Sequence, residues 1–73
     1  MKLYKIKLMG ADLYIRAVYF DTSGGEVKLG IIPAFEDEEA AIYEEDKAKK
    51  YCEVLNEQNK EANFIMEEVN INE

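Results

Sequence analysis

Apolar and polar side chains alternate with a period of two from Lys2 to Leu8, placing Tyr4, Ile6 and Leu8 on one face and Lys5 and Lys7 on the other. That pattern predicts a half-buried strand. Met9-Gly10-Ala11-Asp12 supplies a turn, since glycine tolerates positive φ and aspartate bonds to nearby backbone. Leu13 to Phe20 is rich in aromatic and β-branched residues, and strict alternation sets Leu13, Ile15, Ala17 and Tyr19 opposite Tyr14, Arg16, Val18 and Phe20. With both faces largely apolar, this second strand belongs in the middle of a sheet. Asp21 to Gly25 predicts a hairpin loop, because consecutive glycines supply the left-handed torsions of a tight reversal. A third strand runs from Glu26 to Ile32. Pro33 ends it or confines that end to an edge or bulge, having no N–H for a ladder.

Residues 36–45 admit two readings. Glu36 to Ala41 could open a helix, because glutamate and alanine favour one and acidic groups suit a first turn. A helical stripe carried back from Ala48, however, meets Glu44, Glu45 and Ala41, a poor apolar face. An acidic loop followed by a short extended segment, Ala41-Ile42-Tyr43, fits better, with the helix proper beginning near Asp46. Along that helix Ala48, Tyr51, Cys52, Leu55 and Asn59 recur at the i, i+3, i+4, i+7 spacing. A last strand is expected from Asn63 to Ile71. The expected class is α+β: an antiparallel sheet of three to five strands with one main helix on one face, in the order β-β-β-(β)-α-β.

The chain has 73 residues, enough for a single domain over 1–73, and 48% of them are apolar, as in a folded globular protein. A chain this short buries only about 60% of the surface its unfolded form exposes. Domains of this size often add a disulfide, a metal or self-association. Cys52 is the only cysteine, so an intramolecular disulfide is excluded and a reducing compartment is favoured. Apolar runs are too short for a membrane helix, and Lys2, Lys5 and Lys7 are interleaved with the first apolar residues rather than preceding them as in a signal peptide. A cytoplasmic location is expected, with no membrane contact.

Net charge is −7, carried as +2 over residues 1–35 and −9 over residues 36–73. Such a surface repels phosphate backbones, so no direct nucleic-acid binding is expected. The negative charge also serves solubility.

Candidate chemistry is sparse. The chain has no histidine, which excludes Ser-His-Asp and Cys-His mechanisms, and one cysteine cannot build the usual zinc set. Cys52 lies on the apolar helix stripe and reads as packing. Gly24-Gly25 lacks the Lys-Ser/Thr end of a phosphate loop. Glu36, Asp37, Glu38, Glu39, Glu44 and Glu45 form a candidate acidic surface whose spacing matches no calcium loop. No catalytic, cofactor-binding or metal-binding residue is assigned, and no cofactor is expected. Of the five tyrosines, Tyr4, Tyr19, Tyr43 and Tyr51 read as core or core-edge residues, whereas Tyr14, Val18 and Phe20 beside Arg16 make an apolar strip on the second strand and a candidate interaction surface. Such a strip needs cover. A homodimer built on it would supply that cover; so would the loop from Pro33 to Glu45 folding back with Phe35 and Ile42.

Ala41-Ile42-Tyr43, Ala48, Cys52, Leu55-Asn56 and Phe64-Ile65-Met66-Glu67-Glu68-Val69 together resemble small proteins of unknown function encoded by phages and prophages of Gram-positive bacteria. In those, a short strand ending in an aromatic leads into a helix ending near Leu-Asn and then a terminal strand. The resemblance covers less than half the chain and carries no catalytic residue. It implies an accessory cytosolic protein acting on a host or phage partner. The function expected is a non-enzymatic interaction module; the alternative is an acidic mimic of nucleic acid that occupies the basic groove of a DNA- or RNA-binding protein. Salt sensitivity separates the two, since a mimic's binding weakens steeply with salt.

Overall fold

A computed structural model of the chain describes residues 2–69. The alternating opening segment forms strand β1 (Leu3–Leu8), and the aromatic-rich segment forms β2 (Leu13–Asp21). Gly10, at a φ of 86°, makes the turn between them. Gly25, at a φ of 81°, closes the hairpin into β3 (Lys28–Ala34). A 3-10 turn (Asp37–Glu39), the two-residue β4 (Tyr43–Glu44), helix α1 (Glu45–Gln58) and β5 (Phe64–Val69) follow. All strand pairs are antiparallel. This is the α+β architecture the periodicity predicts, with five strands and one main helix among the described residues. Asn70 and Ile71 of the expected last strand lie outside the described residues. Pro33 falls inside β3 instead of ending it, as an edge strand permits.

β5 pairs with β1 from Leu3↔Val69 to Leu8↔Phe64 and occupies one whole edge of that strand. The other edge is shared. Lys7 and Leu8 pair with Tyr14 and Leu13 of β2, while Leu3 and Tyr4 pair with Glu44 and Tyr43 of β4. Between these contacts the Ala41 N–H donates to the Ile15 carbonyl at 2.9 Å. Residues 41–44 therefore form a wedge between β1 and β2. Only the start of β2 stays on β1, and the rest of the β2–β3 hairpin projects, giving an elongated body of 45 × 24 × 18 Å.

The core lies between the sheet and α1, where Ile6, Ile15, Ala48, Cys52, Leu55 and Phe64 are buried. Three of these are the helix stripe at its expected spacing, with Tyr51 half-buried beside them and its ring edge-on to Tyr43 at 5.3 Å. Asn59 departs from the expected stripe: it is exposed and caps the helix, its N–H donating to the Leu55 carbonyl at 3.1 Å.

Two amide side chains in the last helical turn tie α1 to the two edge strands. Asn56 accepts from the Phe64 N–H at 2.7 Å and donates to the Phe64 carbonyl at 3.0 Å. Gln58 accepts from the Leu29 N–H at 2.8 Å and donates to the Leu29 carbonyl at 3.0 Å. Each amide thus stands in for one residue of a neighbouring strand. Because they are two residues apart, and so roughly 200° apart around the helix, one turn reaches both β3 and β5.

Candidate functional site

The register of β2 against β3 shifts between Ile15, opposite Pro33, and Ala17, opposite Ile32. Arg16 is the extra residue of a β-bulge, and a single inserted residue exchanges the faces of everything after it. Tyr14, before the bulge, lies on the face away from α1, between the Lys5 and Lys7 ammonium groups at 5.9 and 5.7 Å from its ring centre. Its hydroxyl donates to Glu67 at 3.0 Å, and this bond, ahead of burial and neighbouring charge, pushes its pKa up. Val18 and Phe20, after the bulge, face the helix: Val18 packs on the core and Phe20 lines a groove. The strip expected from strict alternation is therefore split between two faces, with exposed Arg16 at the switch, 3.9 Å from Glu39. Tyr19 takes the outer face instead, where it lies over Gly30; a Cβ on that glycine would collide with its ring.

The far side of the sheet is covered in part by the returning loop, though not by the residues expected. Lys5 Nζ donates to the Asp37 carbonyl at 3.1 Å and pairs with its carboxylate at 2.8 Å, pinning the 3-10 turn. Ala34 and Ala40 are buried, whereas Phe35 and Ile42 remain 74% and 49% exposed. Of the acidic surface, Asp37, Glu39 and Glu45 are engaged by Lys5, Arg16 and the Tyr4 hydroxyl. Glu36, Glu38 and Glu44 are exposed, and no group of three acidic, cysteine or histidine side chains is placed to hold a metal among the described residues. Cys52 is buried, and burial pushes its thiol pKa up, the reverse of what a nucleophile needs.

A concavity lies where the splayed hairpin stands off from α1, an open groove of about 470 Å³. Phe20, Val27 and Leu29 form one wall; Tyr51, Val54 and Gln58 form the other. Lys28, Lys47 and Lys50 line its rim, and no carboxylate lines it among the described residues, in a chain of net charge −7. Lys47 leans on the Tyr51 ring at 6.0 Å, and Lys28 sits opposite Asp21, whose carboxylate already accepts from the Ser23 N–H and hydroxyl. None of the three lysines is in an ion pair among the described residues. Phe20 and Val27 are 75% and 69% exposed, so the groove is apolar, basic at its rim and open. Sequence reasoning reached Phe20 but missed the rest. Lys47, Lys50 and Val54 share one side of α1, and that spacing was the available signal.

No protein-family model, curated protein or solved structure matches this chain.

Proposed function

We propose that this chain is a non-enzymatic protein-binding module, an accessory protein of phage or mobile-element type, whose contact surface is the groove between the β2–β3 hairpin and α1. The observation that carries the reading is the groove itself: exposed Phe20 and Val27, three lysines and, among the described residues, no lining carboxylate on an acidic protein. Large exposed apolar side chains gathered beside one sign of charge mark a surface made for contact, and aromatic anchors dominate binding energy at such surfaces. A reducing, cytoplasmic setting suits the single buried thiol. The acidic run supports a nucleic-acid mimic less well, because Asp37 and Glu39 are held by the chain's own Lys5 and Arg16.

A photo-cross-linking side chain at Val27, on the groove lip, tests this in a Gram-positive host lysate and in the purified protein alone. Adducts with one defined protein, this chain included, that vanish in Lys47→Glu/Lys50→Glu are the expected result. Diffuse adducts equal to those from the same group placed at Glu61 would overturn the reading. A single adduct with a basic nucleic-acid-binding protein, lost when Glu36 and Glu38 are changed to Gln but not when the lysines are changed, would replace it with the mimic.

A further inference from the structure

Resting on that reading of the groove, we infer that its occupant is a second copy of this chain, which inserts Phe35 and presents the Glu36 and Glu38 carboxylates to the rim. The complement is present on the molecule. Phe35 is 74% exposed and is followed directly by Glu36, Asp37, Glu38 and Glu39, an aromatic anchor with an acidic tail. The groove is an apolar slot with a rim of Lys28, Lys47 and Lys50. The anchor is also held in advance: the Lys5 bonds to Asp37 fix the turn, while Glu36 and Glu38 stay exposed with no ion pair among the described residues. Preorganisation of this kind lowers the ordering cost of binding.

A chain cannot fill its own groove. Lys28 begins β3 and Phe35 follows its last residue, Ala34, so anchor and groove lie at opposite ends of an extended strand, roughly 20 Å apart at about 3.3 Å per residue. That separation suits a two-fold axis crossing the middle of β3. Two hairpins laid antiparallel about it bring each Phe35 to the other's groove, so both contacts close in one dimer and no filament grows. The contact is made by side chains rather than by extending the sheet. On the outer edge of β3, Gln58 already holds both backbone groups of Leu29, and Pro33 has no N–H to offer.

Sedimentation equilibrium of the full chain between 10 µM and 1 mM tests the inference. Twice the 8.4 kDa chain mass is expected for wild type. Phe35→Ser should raise the dissociation constant at least about tenfold, the loss of one buried aromatic anchor per contact, with its melting temperature below the dimer transition unchanged. The deciding arm is charge exchange. Lys47→Glu/Lys50→Glu alone and Glu36→Lys/Glu38→Lys alone should each be monomers, and their equimolar mixture should recover the dimer, since both of its contacts are then complementary. A wild-type monomer at 1 mM, or a dimer indifferent to these changes, overturns the inference. If the wild type is a monomer while Val27 still captures another protein, only the second-copy inference falls; if lysine reversal affects neither, the groove reading falls with it.

Discussion

Replacing Asn56 with alanine isolates what one side chain does for the helix–sheet contact. The wild-type amide makes two hydrogen bonds of 2.7 and 3.0 Å, to the N–H and carbonyl of Phe64, and Phe64 is itself buried. Each such bond is worth about 0.5–1.5 kcal/mol net, and a buried backbone group left without a partner costs about 1–3 kcal/mol. Water reaches the partly buried site in the variant and relieves some of that cost, so a loss of about 2–3 kcal/mol is expected. For a chain of this size total stability is about 4–11 kcal/mol, so the change removes a large fraction of it. At about 4–8 °C per kcal/mol, the melting temperature should fall by at least about 8 °C. Urea unfolding checks this, with the midpoint lowered and the slope unchanged if the native surface is retained. Gln58→Ala, whose bonds to Leu29 are exposed, should cost less, about 0.5–1 kcal/mol. Asn56→Ala within about 0.5 kcal/mol of wild type, or no different from Gln58→Ala, would refute the view that the amide substitutes for a missing strand neighbour.

Leu55→Ala should cost about 2–5 kcal/mol, because Leu55 is 4% exposed at the centre of the core, and a cooperative melt within a few degrees of wild type would count against this packing. Cys52 should react with an aromatic disulfide reagent only after denaturant is added, and Cys52→Ala should cost stability modestly while leaving the sedimentation behaviour the same as that of the wild type. The hydroxyls of Tyr4 and Tyr14 donate to Glu45 and Glu67, and these bonds raise both pKa values above the ordinary 10.0. A pKa raised by folding stabilises the protein fully below the unfolded value and loses that contribution as pH rises through the folded one. Stability should therefore decline above about pH 10, and less steeply in Tyr4→Phe/Tyr14→Phe, as read from denaturant midpoints against pH.

Most of the architecture was legible because period-two and period-3.6 patterns act locally: Tyr4, Ile6 and Leu8 of β1 and Ala48, Cys52 and Leu55 of α1 lie on the faces their spacing predicts. The candidate site was less legible, for three physical reasons. The bulge at Arg16 is set by the pairing of β2 with β3, and nothing in Ile15-Arg16-Ala17 announces it. In the returning loop it is the small Ala34 and Ala40 that are buried, while the large Phe35 and Ile42 stay exposed, the reverse of what size and hydrophobicity suggest. The groove brings Lys28 of β3 together with Lys47 and Lys50 of α1, a juxtaposition that only the tertiary structure makes.

The bulge can be tested by removing it. In a regularly alternating β2, where Ala17 and Tyr19 would share the core face with Ile15, deleting Arg16 would exchange the faces of all that follow and put Val18 and Phe20 over the core in their place, which should unfold so small a domain. In the strand as it is paired, the result is the opposite. Ile15 already stands opposite Pro33 and Ala17 opposite Ile32, so deleting Arg16 joins two positions that are consecutive in the ladder and leaves every later side chain on its present face. What is lost is an exposed ion pair with Glu39 at 3.9 Å, worth at most about 1 kcal/mol, and some local twist. Deletion of Arg16 should therefore give a folded protein with a cooperative urea transition, its midpoint lowered by no more than about 1–2 kcal/mol equivalent. The groove should survive too, since Phe20 and Leu29 keep their partnership. A deletion variant without a cooperative transition would mean that the bulge supplies twist the hairpin needs to stand off from β1, and the groove would then depend on that twist as well as on the wedge.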